Sequence, residues 1–582
     1  MSVASTTPPG RLMKVSVKWR ELTTGLALVL AVGAFTLVPV LLTLANSFSE
    51  SLPGRPSVYS LEGWRVAFSN PNTVSAMWNT VALAVTYTAI SMILAIAFAW
   101  LIARTDMPGA NFVEFMLWLA FFLPALPMVI GWITLLDPDY GLINSLLRKL
   151  PLIGGSPFSI YGFWGMVWAH LVTASVGVKV IMLTPAFRRM GPVLEEAARV
   201  CGAGHLRTLL MVTIPVLAPA ILAALVMSLI HALETFEIEL LLGTPISFFV
   251  FSTRIFFLIR QDPPQFAPAT ALSSVFLVIL LGLALFYQRY IRARQFVTVT
   301  GQGFSMARIR LGRWRHVALG ACLLYIVVAI IMPFFMLLIG SFMRRFGFFE
   351  IKNPYTIEHW QAILRDSVFA SSVRNSLIIG ISAAVIATLA CSVLAYAVVR
   401  GRMVGRRTVD VLVWLPWSVP GILLGLGLLW LYLGAPPLRV LYGTVLGLTV
   451  AMVIKSLPMG TQLMKASLLQ LGHDLEDSAR VCGARWFYVY RGVLMPLLAP
   501  MLVSVAVVAF VAAAKDISVS ALLYSPASRP LSLLMLEYGY GGELEKAAVV
   551  GIMISALVAV VALLARSFGL QVRDSSDQGR GV

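Results

Sequence analysis

Leu194–Pro215 reads LEEAARVCGAGHLRTLLMVTIP, and Leu475–Pro496 reads LEDSARVCGARWFYVYRGVLMP. Both are islands of charge and small residues in a chain of 582 residues that is 59% hydrophobic and only 12% charged, about half the charge of a soluble domain. Around the first island the apolar runs are Gly25–Ala45, Thr80–Ala103, Phe115–Leu136, Tyr161–Phe187, Val212–Leu233 and Ala271–Tyr287. Around the second they are Val317–Phe342, Ser376–Val399, Val411–Leu433, Thr444–Met464, Val493–Ala514 and Ala547–Ala565. Runs of about 20 apolar residues cross a bilayer as helices, whereas a membrane barrel shows shorter, alternating segments. The islands therefore mark two copies of one unit, each island lying between the fourth and fifth spans of its copy. The expected fold is an all-α polytopic membrane protein with about twelve transmembrane helices in two tandem six-helix units.

The repeat extends beyond the islands. Tyr59–Trp64 (YSLEGW) matches Tyr355–Trp360 (YTIEHW), Asn79 matches Asn375, AWLIAR ending at Arg104 matches AYAVVR ending at Arg400, and Pro124 matches Pro420, all at an offset of 296. From Tyr161/Tyr442 onward the offset is 281, so the first copy carries about fifteen extra residues after its third span, in DPDYGLINSLLRKLPLIGGSPFS, which reads as an exposed loop. The shorter run Ile246–Ile259, interrupted by Arg254, suits a re-entrant or interfacial element. An even number of spans per copy gives both copies one orientation and a pseudo-two-fold along the membrane normal. Basic residues collect on one side: Arg11, Lys14, Lys18 and Arg20, then Arg289 to Arg315 between the copies, then Arg400 to Arg407. By the positive-inside rule that side is cytoplasmic, and with it both termini and both islands. The same rule accounts for the net charge of +18 without a nucleic-acid partner. The division expected is a cytoplasmic segment 1–20 followed by a retained first span, a first transmembrane unit 21–290, a basic cytoplasmic linker 291–315, a second unit 316–567 and a cytoplasmic tail 568–582. The four cysteines show neither a CxxC nor a Cys/His ligand spacing, so neither a disulfide nor a metal site is expected.

Within each island, Glu195 and Glu196, or Glu476 and Asp477, stand where the positive end of a short helix favours carboxylates. Ala197, Ala198 and Arg199 favour helix, with Ser478 and Ala479 in the matching places. Gly202 and Gly483 follow, where a helix stop or a close contact needs no side chain. A second helical stretch leads to Pro215 and Pro496. An ordinary amphipathic interfacial loop has a similar composition, but the flanking spans have diverged while Arg-Val-Cys-Gly-Ala stands in both copies.

The island resembles the EAA signature of binding-protein-dependent ABC importer permeases: Glu-Ala-Ala, three residues, Gly, nine residues, then Ile-x-Leu-Pro. Glu196-Ala197-Ala198, Gly202 and Pro215 fit it; Asp477-Ser478-Ala479, Gly483 and Pro496 fit with Asp for Glu and Ser for Ala. The resemblance covers nearly the whole chain and implies the type I importer permease fold. It further implies that each island is a coupling helix docking on one of two separate ATP-binding-cassette ATPase subunits, with an external solute-binding protein delivering substrate. Glu195, Glu196, Glu476 and Asp477 would orient the helix and meet basic residues of the partner. The setting would be the bacterial cytoplasmic (inner) membrane. The chain has no Gly-Lys step for a phosphate-binding loop and no HExxH motif, so it is expected to be no enzyme and to hold no cofactor itself, ATP being bound by the partners.

Ionisable residues in or beside spans are functional candidates by default. His170, Lys179, His231, Glu234, Glu237 and Glu239 stand in the first copy, and Lys455, Lys515 and Asp516 in the second. Glu234 and Glu237 match the place of Lys515 and Asp516, and these four form the candidate translocation path; interfacial snorkelling or structural ion pairs are the plainer alternative. Lys455 lies near Pro458, so its span is expected to bend. The stretch KDISVSALLYSP also resembles fused ferric-iron importer permeases, which suggests ferric iron as substrate. Related permeases carry thiamine, phosphonates, polyamines or sulfate. An ion-coupled secondary transporter and a membrane scaffold are the readings of other classes.

Overall fold

The computed structural model describes residues 19–150, 156–191, 193–293, 308–401 and 403–567. The N-terminal basic segment, Pro192, much of the inter-copy linker and the tail from 568 lie outside the described residues. Those described form helices joined by turns and loops, with isolated β-bridges as their extended pairings. Among the described residues, eight helices are individually long and apolar enough to cross a membrane, and five further helix pairs reach that length only when each bent pair is taken as one span. The protein is an all-α polytopic membrane protein.

The bends revise the expected straight spans. The third span of the first half is two helices, Ala110–Phe122 and Ala125–Leu136, at 101°, and its counterpart, Arg406–Ser418 and Gly421–Gly434, bends by 115°. The breaks fall at Leu123-Pro124 and Val419-Pro420, where the residue before each proline is extended (ψ 137° and 116°), because the proline ring excludes the helical conformation there. The span around Lys455 goes the other way: Val445–Gln470 is one continuous helix through Pro458. The interrupted run Ile246–Ile259 falls in a bent helix pair, Glu237–Ile246 and Phe251–Arg260, whose arms meet at 75°. The fifteen-residue insertion is more than an exposed loop. It contains a helix, Leu142–Arg148, and buried Asn144, which donates to Asp137 O (3.0 Å) and Phe158 O (2.7 Å) and accepts from Phe158 N (3.2 Å).

The halves interlock. The first helix of the first half, Trp19–Asn46, packs on the broken third span of the second half, and the first helix of the second half, Trp314–Ser341, packs on that of the first. Two matched glycines make these crossings. A Cβ on Gly131 would lie 2.0 Å from Pro333 O, and one on Gly427 2.6 Å from Pro39 O. Lipid tails are as apolar as leucine, so helices in a membrane associate through close packing at small residues rather than through a hydrophobic drive. Helix breaks expose carbonyls, and the second half caps two in the first: Lys515 Nζ donates to Phe121 O (3.0 Å) and Tyr325 OH to Leu171 O (2.8 Å).

Candidate functional site

Each island is a short helix, Val193–Val200 or Asp474–Val481, ended by a left-handed glycine, Gly202 at φ +84° and Gly483 at φ +86°. The capping is the same in both. Ala203 N donates to Ala198 O (3.0 Å) and Gly202 N to Arg199 O (2.9 Å); Ala484 N donates to Ala479 O (3.0 Å) and Gly483 N to Arg480 O (2.9 Å). This is the Schellman arrangement, which satisfies the last carbonyls of a helix. A Cβ on either glycine would meet nothing within 4 Å, so backbone conformation, and not close packing, accounts for glycine here. Both islands then continue through a five-residue π-helical stretch, Leu209–Thr213 and Tyr490–Leu494, just before Pro215 and Pro496.

The two acidic residues of each helix have different environments. Glu195 is fully buried: Arg104, the last residue of the second span Pro71–Arg104, pairs with its carboxylate, and Thr213 Oγ1 donates to it at 2.7 Å. Arg104 also donates to Met190 O at 3.0 Å. In the second half Arg400 Nε lies 3.2 Å from the carboxylate of buried Glu476, and Arg400 Nη2 donates to Leu468 O (3.1 Å) and Leu471 O (2.6 Å). Tyr396 OH and Arg480 also approach Glu476, each at 3.4 Å. Glu195 and Glu476 are thus turned inward and are not available to a partner, contrary to the expected contact with partner basic residues. Glu196, Ala197, Asp477 and Ser478 are exposed, and Ala198 and Ala479 half-buried. Pro215 and Pro496 are exposed on the first turns that follow the π-helices. Val200 and Val481 are each 88% exposed, an unusual position for valine that recurs in both copies. The surroundings differ: Tyr396, Trp486 and Tyr490 form an aromatic cluster beside the second helix, whereas Trp100, His205 and Leu209 occupy the matching places of the first.

Arg104 and Arg400 were visible in the sequence only as matched ends of a repeat. Their role follows from tertiary structure, and the signal was their retention at one offset. The described end of the linker lies beside Arg104: Ile309 N donates to Arg104 O (2.8 Å) and Asp106 N to Ile309 O (3.0 Å), so this part of the linker and the first island share one face. Matched acids also hold the following helices on that face, as Arg188–Glu114 and Lys465–Asp410, both at 2.5 Å.

The four path candidates come together between the halves. Glu237 lies within electrostatic reach of Asp516, Lys455 and Lys515, and Glu234 of Lys455. They are not equivalent. Asp516 pairs with Lys455 and accepts from Ser520 N (3.0 Å) and Ser520 Oγ (3.1 Å), while Lys515 is held on Phe121. Glu234 and Glu237 are half-buried, and His231, 3.6 Å from Glu234, has a side chain 75% accessible. Lys455 and His231 therefore join this group. His170 and Glu239 form a separate buried pair at 2.7 Å, with His170 stacked on Tyr87 at 4.1 Å, and buried Lys179 donates to Ser175 Oγ at 2.9 Å. These three are core structure of the first half. Among the described residues no group of three or more His, Cys, Asp or Glu is arranged to hold a metal ion.

Residues 376–574 match the family described as binding-protein-dependent transport system inner membrane component. The chain is 26% identical to a probable ABC transporter permease protein of Sinorhizobium fredii, over 83% of this chain and 85% of that one. It is 28% identical to a ferric transport system permease protein of Actinobacillus pleuropneumoniae, over 69% of this chain and 58% of that relative's length. A solved bacterial alginate ABC transporter in complex with a periplasmic protein is 24% identical, covering 42% of this chain and 85% of its own, at a TM-score of 0.36. The second half thus carries the binding-protein-dependent transport system inner membrane component domain, and the chain as a whole is similar to ABC transporter permeases, with its first half repeating its second.

Proposed function

We propose that this permease carries ferric iron across the cytoplasmic membrane, handed over by an external binding protein and driven by two separate ATPase subunits. The observation that carries the docking role is the pair of islands: each is anchored from within by a buried Arg–Glu contact and presents Glu196 or Asp477 and an exposed valine outward. An exposed apolar residue beside an acidic one, repeated in both halves, suits two like partners. ATP would be bound by those partners. Both termini and both islands would then face the cytoplasm. Glu195 and Glu476 orient the helices, while Glu196, Ala197, Ala198, Asp477, Ser478 and Ala479 lie on or beside the docking face. Gly202 and Gly483 end the helices, and Pro215 and Pro496 start the spans that would be moved. Glu234, Glu237, Lys515 and Asp516, with Lys455 and His231, would line the path between the halves. Iron is supported by the ferric permease relatives, whose names record that substrate.

Reconstitution tests it. Liposomes holding the permease, its ATPase subunits and the receptor should take up iron only with ATP and with iron-loaded receptor; uptake in liposomes lacking the ATPase subunits would sink the ATP-driven reading in favour of an ion-coupled transporter. A receptor that binds thiamine, a phosphonate or a polyamine instead of iron would replace the substrate and leave the rest. Because Glu196 is exposed, Glu196→Lys should insert normally yet weaken ATPase-subunit association about tenfold, about 1.4 kcal/mol, as measured by co-purification titration. At Gly202 the left-handed backbone costs an ordinary L-residue about 1–2 kcal/mol, and Asn tolerates it best. Gly202→Asn should therefore retain more association than Gly202→Val; equal loss in both would show that the left-handed turn is not what matters.

A further inference from the structure

Asn79 and Asn375 are matched residues that the docking role does not explain. Asn79 Nδ2 donates to Phe249 O at 3.0 Å, and Thr80 Oγ1 accepts from Phe251 N at 2.8 Å. In the other half Asn375 Nδ2 donates to Ala527 O (2.9 Å) and Arg529 O (3.1 Å), and Ser376 Oγ accepts from Leu531 N at 2.7 Å. Each Asn-Thr or Asn-Ser step therefore pins the extended turn of a bent helical element. Its hydroxyl also caps the N-terminus of the helix that follows, Phe251–Arg260 or Leu531–Tyr540. These are the elements entered from Glu234–Glu237 in one half and from Lys515-Asp516 in the other.

The same two spans end at Arg104 and Arg400. In both halves 25 residues separate the asparagine from the arginine, about 38 Å of α-helix. Pro71–Arg104 and Ser367–Val399 run unbroken, whereas third spans in both halves, the fourth in the first half and the fifth in the second are bent. At the end remote from the islands the two pinned elements touch each other. Arg529 Nε lies 3.1 Å from the Glu537 carboxylate, Tyr524 OH donates to Glu537 (2.8 Å), and Arg260 of the first half donates to Tyr524 OH (3.0 Å) and Ala521 O (3.3 Å).

We propose that the second span of each half is a connecting rod, joined to the island by Arg104 or Arg400 and to the remote hairpin by Asn79-Thr80 or Asn375-Ser376, so that island movement opens the contact between the hairpins. The proposal rests on the islands being ATPase-docking helices. Asn79, Thr80, Asn375 and Ser376 are positioning residues. A straight helix held by specific side-chain bonds at each end carries a displacement of one end to the other, since it does not bend between them.

The test uses the full permease reconstituted with its ATPase subunits and receptor, with exposed Cys201 and Cys482 replaced by Ser and a single reporter, Ile246→Cys, on the first hairpin. ATP should change the rate at which the reporter is labelled by a membrane-impermeant maleimide. In Asn79→Ala/Thr80→Val the ATPase subunits should still co-purify and hydrolyse ATP at the basal rate. The ATP-dependent change in labelling should vanish and uptake should fall about tenfold, within the range of coupling between sites. Restoring the hydroxyl, as Asn79/Thr80→Ser, should return both. Asn79→Ala alone, which keeps the Thr80 bond, is read the same way if the double variant does not assemble. Labelling response and uptake within about twofold of the parent would overturn the rod. Failure of the parent chain to hold its ATPase subunits would instead remove the docking reading, and the rod with it.

Discussion

Glu195→Ala should release the first island and abolish coupled uptake, with a larger loss than Glu476→Ala. Removing Glu195 leaves the Arg104 guanidinium, 1% accessible at its side chain, with one remaining described acceptor, Met190 O. Breaking a buried pair from one side costs about 3–5 kcal/mol because the other charge stays desolvated. At the second island Arg400 keeps Leu468 O and Leu471 O and its contact with His473, so the same deletion leaves its charge better satisfied. Hydrogen exchange over residues 193–203 and 474–484 would measure release of each helix, and receptor-dependent uptake the consequence. Equal exchange in both variants would show that the two contacts are equivalent, against the structure. Arg104→Leu/Glu195→Leu separates charge burial from connection: an apolar pair of similar volume is often neutral or stabilising, so the helix should stay folded while uptake falls if the ionic link itself carries motion.

Gly131→Ala should disrupt the assembly of the halves. Its new Cβ would sit 2.0 Å from Pro333 O, 2.7 Å from Pro333 C and 3.0 Å from Pro333 Cα, all backbone, so no side chain can swing aside. Overpacking of this kind costs about 1–3 kcal/mol or more, and the gain of about 1 kcal/mol from replacing a helical glycine by alanine does not offset it. Gly427→Ala, with Pro39 O at 2.6 Å, should be damaging to a lesser degree. Gly282→Ala is the control, since its Cβ would meet nothing within 4 Å and it should be neutral or stabilising. Thermal unfolding in detergent should rank the three in that order; a Gly131→Ala protein as stable as the Gly282→Ala control would remove the crossing as a determinant of assembly.

Much of this was legible before any coordinates. Apolar run length is a local property of the chain, so spans could be counted, and the two offsets exposed the repeat. The acidic first turn and the spaced glycine also act locally, which is why both short helices and their left-handed stops could be anticipated. The breaks at Pro124 and Pro420 were within reach, because a proline inside an apolar run signals one, but hydropathy is indifferent to direction and merges both arms into one span. Proline alone does not decide it, because helices continue through Pro39, Pro185, Pro219 and Pro458.

Other features depend on what lies far away in sequence. Glu195 and Glu196 are adjacent carboxylates, and nothing local says which is buried; a helix turns about 100° per residue, and the position of Arg104 decides. Asn144 looked like part of a polar loop because its backbone partners come from Leu136, Asp137 and Phe158, on both sides of its helix. The assignment of His170 and Glu239 to the core, and of Lys455 and His231 to the interface, depended on which helices meet. By itself the sequence determined an all-helical membrane chain, its duplication and the two capped islands, since length, period and turn chemistry are set within a few residues. Only the tertiary structure decided the crossing of the first helices, the inward Arg–Glu anchors and the meeting of charges between the halves, because each is a contact between groups that the chain brings together only when both halves are packed.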